Sequence, residues 1–278
     1  MDSHIEMNET AKVALIQAKN GKASQETLER LASDNNWFVR AAVARNPTCS
    51  GEILKKLSAD RDFRVLSAIT ENANVTEIVL EKLSKNREEK VRWAVAKCSN
   101  ITEKLIRQLA YDKGWSVRRC LVDQADIPVE VLIYLSKDRH RYIRGSVAQH
   151  FLTPIDILEQ LTVDMNGYTR AGASRNINCP QEILARFSTD SDFRVRAGVA
   201  ENLNSPTQVL AALAQDTNNE VKIALAKNSK TPILGLDILT RDANAFIAKL
   251  ASLAIEIKKY PEINFKGEWN DSRIRSNR

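Results

Sequence analysis

The sequence predicts an all-α fold, a right-handed α-solenoid (superhelix) of about nine 26-residue two-helix repeats, on three observations. The first is periodicity: residues like those of Leu31 to Pro47, LASDNNWFVRAAVARNP, return every 26 residues almost to the C-terminus. Aligned on Asp34, the copies fall at Asp60, Asn86, Asp112, Asp138, Asp164, Asp190, Asp216 and Asp242, with no insertion or deletion. A fixed period of this length means stacked units, each burying its apolar face only against its neighbours. The second is spacing: within each copy apolar residues recur at i, i+3 and i+4, a helical pattern, and strand-like alternation is absent. The third is composition: aromatics make up 6% of the chain and glycines number nine, which suits close helix packing better than a β-sandwich.

Taken in order, residues 1–23 read as an N-terminal cap, in which 1–6 precede Met7 as an appended remnant. The first segment is polar and acidic, so it is not a secretory signal. Residues 8–19 form the capping helix, ended by Gly21 in a left-handed turn. The repeats occupy 24–252. Each opens at a Ser, Thr or Pro column (Ser24, Ser50, Thr76, Thr102, Pro128, Pro154, Pro180, Pro206, Pro232), residues suited to an N-cap or a first helical turn. The first helix buries pairs such as Ile53/Leu54 and Val131/Leu132, with a further Leu or Phe three residues on. The second helix begins a few residues after the Asp column. Its stripe in the first repeat is Val39, Ala42 and Val43, reaching Asn46.

The middle of that stripe is small almost throughout: Ala42, Ala68, Ala94, Cys120, Ser146, Gly172, Gly198 and Ala224. The Asn column (Asn46, Asn72, Asn176, Asn202, Asn228) fits a left-handed helix terminus, which Asn tolerates. Helices of about 8–11 residues are too short to stand alone and must lay their stripes on neighbouring repeats. Residues 253–278 read as a helical extension to Lys259 and a polar tail anchored by Trp269.

The pattern D-x4-V-R-x-A-V-A-x-N-P, followed by P-x3-L-x2-L-A-x-D, resembles the variant leucine-rich repeat. It also resembles HEAT-like repeats, whose units share an Asp and an Arg six apart, as in Asp34/Arg40 and Asp190/Arg196. The resemblance covers about 24–252 and implies a helical-repeat scaffold. One type of variant leucine-rich protein carries an N-terminal cysteine cluster with an iron–sulfur centre. No Cys precedes Ser24, so that cofactor is not implied, and no other cofactor is expected.

The basic column runs Arg40, Arg92, Arg118, Arg144, Arg170, Arg196 and Lys222, broken by Leu66 and Ala248. A phosphate-binding stripe would look like this, but the HEAT-like resemblance implies a buried Asp–Arg ladder that ties repeats together. Set aside the ladder, and the net charge of +6 is local. Residues 84–144 hold fourteen Lys/Arg against eight acids, an excess equal to that of the whole chain. In the same repeats, the third to fifth, the Asn column changes to Cys98, Gln124 and His150, and Trp93, Trp115, Tyr134 and Tyr142 gather.

Positions i, i+3 and i+7 beside the core stripe should face the inner curve. From the second repeat to the sixth they read Arg64/Ser67/Glu71, Lys90/Trp93/Lys97, Ser116/Arg119/Asp123, Tyr142/Gly145/Gln149 and Tyr168/Ala171/Arg175. The candidate binding residues are therefore Arg64, Lys90, Trp93, Lys97, Trp115, Arg119, Arg141, Tyr142, Tyr168 and Arg175, a basic groove with aromatic platforms suited to an anionic or stacked ligand.

Catalytic motifs are missing: there is no G-x-G-x-x-G, P-loop, H-E-x-x-H or C-x-x-C. His4, His140 and His150 are not spaced to bind a metal on one helix face. Asp123 is a catalytic candidate by architectural likeness to HEAT-like alkylpurine DNA glycosylases, which pair a basic groove with tryptophans and one Asp. A surface carboxylate paired with Arg119 at i, i+4 is the plainer reading. Cys49 and Cys179 lie five repeats apart, and Cys98 and Cys120 sit at different heights of adjacent repeats, so four free thiols and a reducing cytoplasm are expected. No run approaches the length of a membrane span. The expected protein is a monomeric, non-enzymatic scaffold that binds an acidic macromolecule on its concave face around repeats three to five. The partner is a protein; the alternative is a nucleic acid.

Overall fold

A computed structural model describes residues 9–260, so the remnant at 1–6, His4 and the tail with Trp269 lie outside the described residues. Among these residues there are nineteen helices and no strand, as an all-α solenoid-like repeat fold requires. They fall into two compact bodies that divide between Pro154 and Ile155. No helix is long and apolar enough to cross a membrane.

The first body holds the cap and five repeats. Helix α1 (Glu9–Lys19) is followed by α2 (Gln25–Leu31) and α3 (Trp37–Arg45), α4 (Gly51–Leu57) and α5 (Phe63–Ile69), and α6 (Glu77–Leu83) and α7 (Glu89–Ala96). Then come α8 (Glu103–Leu109) and α9 (Trp115–Val122), and α10 (Val129–Leu135) and α11 (Arg141–Gln149). The second holds α12 (Ile155–Leu161), α13 (Gly167–Arg175), α14 (Gln181–Phe187), α15 (Phe193–Glu201), α16 (Thr207–Leu213), α17 (Asn219–Lys227), α18 (Ile233–Leu239) and α19 (Ala245–Lys259). Every first helix is seven residues, shorter than the sequence suggests. Such a helix has no stability of its own and holds its shape only by packing.

Two stretches of side-chain capping delimit the helices. Ser24 and Ser50 accept from the backbone N–H groups of Thr27 and Ile53, while Pro128, Pro180, Pro206 and Pro232 sit at the N-cap itself rather than inside the first turn. Six of the nine second helices are capped by a double turn that the periodicity does not reveal, and α7, α9 and α11 have no side-chain cap. Asp60 accepts from the N–H of Asp62 at 2.8 Å, and Asp62 in turn accepts from that of Arg64 at 2.9 Å. Asn36, Asn166, Asp192, Asn218 and Asn244 cap their helices in the same way.

The second helices bury more than one stripe. In α3, Val39, Ala41, Ala42, Val43 and Ala44 are all buried, because the helix is flanked by the capping helix α1 and the next second helix α5 and backed by the first helices α2 and α4. Small residues on two faces permit that close approach. All four cysteines are buried and free, and burial pushes the thiols of Cys49 and Cys120 up to about 11 and that of Cys179 to about 12.

The basic column forms a ladder, as the resemblance implies, but with a different partner from the Asp six residues earlier. Arg40 grips Asp60 of the next repeat through Nε at 2.5 Å and Nη2 at 3.0 Å, and Nη1 donates to the carbonyls of Asp34 and Asn35. Arg92–Asp112 and Arg118–Asp138 repeat the bidentate pairing in the first body, and Arg170–Asp190 and Arg196–Asp216 in the second. Lys222 reaches Asp242 with one bond of 2.6 Å. The pairing always spans twenty residues. That spacing explains the irregular repeat: Leu66 and Asn86 stand where an Arg and its Asp would meet, so both partners are replaced together. Burial opposes ionisation of Asp60, Asp112, Asp138, Asp190 and Asp216. Hydrogen bonds from the arginine and backbone, with the arginine's charge, outweigh it and hold them below the usual carboxylate range.

Two expectations about backbone conformation are corrected. Gly21 does not take a positive φ, and the chain leaves α1 by a turn in which Ala23 N–H donates to Asn20. The Asn column is not left-handed either: Asn46, Asn176, Asn202 and Asn228 have φ of −66°, −67°, −74° and −79° with extended ψ. Their side chains explain the preference for Asn. Asn72 donates through Nδ2 to the carbonyls of Ala44 and Asn46, at 2.7 and 2.8 Å, and its Oδ1 accepts from the N–H of Asn74. Asn46, Asn202 and Asn228 bond in the same way to the element before them. One amide thus satisfies three backbone groups, two of them buried, and stitches two repeats.

The exceptions to that column keep part of the stitch. Gln124 donates to the carbonyl of Ala96 at 2.7 Å. His150 accepts from the N–H of Leu152 through Nδ1 and is hydrogen-bonded to the backbone of Gln124. Burial depresses its pKa, against the opposing pull of that bond and of Asp123. A His with a depressed folded pKa is neutral in the fold but binds a proton when unfolded below about 6.5. Its contribution to stability is therefore lost as pH falls from about 6.5 through the folded value. Changing His150 to Asn should remove that loss. Urea midpoints measured from pH 7.5 to 5 should diverge in favour of the Asn variant on the acid side, and parallel profiles would refute the assignment.

Candidate functional site

The exposed faces of α7 and α9 carry the candidate residues in two lines at i, i+4 spacing: Trp93 and Lys97 on one, Trp115, Arg119 and Asp123 on the other. With Ser116, Cys120 and Gln124 they line an open groove of about 570 Å³. The two indoles are 40% and 44% exposed, enough to offer ring surface to a ligand. Lys97 Nζ lies 5.3 Å from the Trp93 ring centroid. On its far side Trp115 stacks on His140, with centroids 4.3 Å apart and planes within 6°, and Tyr142 closes the cluster at 6.3 Å from Trp115. Arg141 sits over the Tyr142 ring at 5.0 Å. The His140 Nδ1 atom is buried with no hydrogen-bond partner among the described residues.

The remaining candidates are placed elsewhere or already engaged. Arg64 is doubly hydrogen-bonded to Asp62 and lies 3.5 Å over the Trp37 ring, and Lys90 lies over Phe63 at 4.9 Å. Arg119 pairs with Asp123 at 2.7 Å, the i, i+4 pair expected of a surface carboxylate. Asp123 is exposed, as a solvated pair requires, which leaves it little of the desolvated setting that tunes a catalytic acid or base. Tyr168 and Arg175 belong to the second body, where Arg175 pairs with Glu201 at 2.7 Å. Among the described residues, no group of His, Cys, Asp and Glu could hold a metal ion.

The local charge excess resolves into a few cations. Arg92 and Arg118 are in the ladder, and Lys104, Arg107 and Arg119 pair with acids. Lys85, Lys90 and Lys97 make no ion pair among the described residues, and neither do Lys113, Lys137, Arg139 and Arg141.

Lys113, Lys137 and Arg139 belong to a second feature of the first body. They border a second cleft, of about 410 Å³, with Tyr111 and Tyr134, whose rings lie 4.5 Å apart. A sequence signal for it exists: the residue after the Asp column is basic in four successive repeats, at Arg61, Arg87, Lys113 and Arg139.

Comparison with known proteins agrees with this architecture. A sequence profile for the leucine-rich repeat variant matches residues 37–62, one full period starting at α3. The structure is similar to a solved protein described as a leucine-rich repeat variant with a novel repetitive protein structural motif. It is 24% identical over 73% of this chain and 81% of that one, with a TM-score of 0.55. Weaker similarity is found to E. coli YibA (17% identity, 92% and 99% coverage, TM-score 0.46) and to an engineered protein (15%, 89% and 94%, 0.40). No curated protein sequence matches. The fold is a helical repeat of the variant leucine-rich kind.

Proposed function

We propose that the protein is a non-enzymatic repeat scaffold that binds an acidic protein segment on the second-helix face of repeats three to five. The observation that carries this reading is the groove of Trp93, Lys97, Trp115 and Arg119. There, two half-exposed indoles flank cations, and Lys97 makes no ion pair among the described residues. Cation–π contacts and complementary charge give such a surface steering and specificity. Repeat stacks generally use their extended rows in this manner. Four buried thiols fit a chain kept in a reducing cytoplasm.

A polyglutamate peptide is the direct probe. Lys97→Gln should weaken its binding mainly at low salt, because long-range attraction between exposed charges is screened above about 0.1 M. Trp93→Ala should weaken binding at every salt concentration. Neither variant should change the melting temperature, since these side chains lie off the core. Equal binding by the wild type and both variants would overturn the assignment of the groove.

A further inference from the structure

We infer that the loop edge of repeats two to five, separate from the groove, is a track for single-stranded nucleic acid. Its cations would be Arg61, Arg87, Lys113 and Arg139, and its base platform the Tyr111–Tyr134 pair. Three observations converge on this edge. First, the four cations occupy one repeat position, and all are exposed. Equivalent positions carry Asn35 before them and Met165, Ser191, Thr217 and Ala243 after them, so the stripe is confined to the first body. Packed helices lie about 8–10 Å apart, which sets the cations at a regular interval of the order needed to follow a phosphate backbone.

Second, the ladder fixes the loops that carry them. Arg92 Nη1 donates to the carbonyls of Asn86 and Arg87, Arg118 Nη1 to that of Asp112, and Arg144 Nη1 to those of Asp138 and Arg139. From the other side, Asp60, Asp112 and Asp138 accept from the N–H groups of Asp62, Gly114 and His140. The exposed cations thus stand on loops already ordered, and a ligand need not bear the cost of ordering them.

Third, charge compensation fails where the aromatic pair lies. In repeats two and three an acid follows two residues after the Asp column position, Asp62 and Glu88, and each contacts an arginine. In repeats four and five that position is Gly114 and His140. Lys113, Lys137 and Arg139 therefore surround Tyr111 and Tyr134 with no acidic partner among the described residues, while the carboxylates on the floor, Asp112 and Asp138, are taken by Arg92 and Arg118. Tyr111 is 69% exposed and Tyr134 46%. Two adjacent exposed rings beside uncompensated cations are the composition of a single-strand site, the rings taking bases and the cations phosphates.

The test is a fluorescence-anisotropy titration of a labelled oligothymidylate across salt concentrations, with a matching duplex, thymidine monophosphate and a polyglutamate peptide as competitors. Replacing Arg61, Lys113 and Arg139 together by Gln should lower the log–log salt slope by about 2, at about 0.7 for each lost single-strand phosphate contact. Replacing Tyr111 and Tyr134 by Ala should weaken binding by about fivefold or more at every salt concentration. Trp93→Ala in the groove should leave oligothymidylate affinity unchanged, so failure here and failure of the groove reading are told apart. Competition by thymidine monophosphate alone at equal potency would reduce the track to a single nucleotide site and overturn it. So would polyglutamate competing as well as the strand, or binding no weaker in the edge variants than in a Lys227→Gln/Lys230→Gln control.

Discussion

Replacing Arg118 by Ala is expected to destabilise the first body by about 3–5 kcal/mol, while replacing its neighbour Arg119 should cost under about 1 kcal/mol. The two arginines are adjacent in sequence, carry the same charge and each hold a carboxylate at 2.6–2.7 Å. They differ in what surrounds the pair. Arg118 and Asp138 are 8% and 6% exposed, and Arg119 and Asp123 are 36% and 58% exposed. Removing Arg118 strands the Asp138 carboxylate away from water and frees the Asp112 carbonyl that Nη1 satisfies. Removing Arg119 returns Asp123 to solvent. Urea unfolding of both variants, read at pH 7, decides the matter, and equal midpoints would refute the ladder's energetic role. Arg118→Met/Asp138→Leu should recover much of the loss, because an apolar pair leaves no buried charge uncompensated.

Asn72→Ala is expected to cost on the order of 3 kcal/mol, from about 1–3 kcal/mol for each buried polar group left unsatisfied. Asn72 serves the carbonyls of Ala44 and Asn46 and the N–H of Asn74, and is itself buried. Asn100 is the control, since its side chain reaches one carbonyl, that of Ala73, at an exposed position. Asn100→Ala should lie within about 1 kcal/mol of the wild type. Hydrogen exchange should further show the Asn74 amide losing protection in the first variant and not the second. If the two variants melt together, the amide stitch is not holding the repeats.

The period, the helix pairs and the buried columns were legible in the sequence because each repeat imposes the same packing on the same positions. What could not be read was which copy a side chain reaches. The Asp and Arg columns lie six residues apart in the alignment, yet Arg40 bonds the Asp34 backbone and the Asp60 carboxylate. An alignment of copies shows columns and is blind to the offset between them. For the same reason the Asn column suggested a local backbone role, when its bonds run 26 and 28 residues back. Of the candidate residues, Trp93, Lys97, Trp115 and Arg119 line one groove because helical spacing sets which side chains share a face. Arg64 and Lys90 share that spacing, but nearby aromatic rings, and for Arg64 an acid, had claimed them. The Tyr111–Tyr134 pair joins two different repeat positions, so no single column announces it.

The missing rung at Leu66 and Asn86 bears on how such a protein could be recombined. Elsewhere within each body a repeat carries a cationic plug for the repeat that follows it and an anionic socket for the one that precedes it, so those copies can be shuffled, duplicated or excised and still mate. Repeats two and three have exchanged plug and socket for an uncharged pair, and only with each other. A copy carrying Asn86 placed behind any arginine-bearing copy would leave that guanidinium without its mate, and a copy carrying Leu66 placed ahead of any other would strand a carboxylate. One uncharged junction thereby gives the array a grammar, in which these two words are read only in this order.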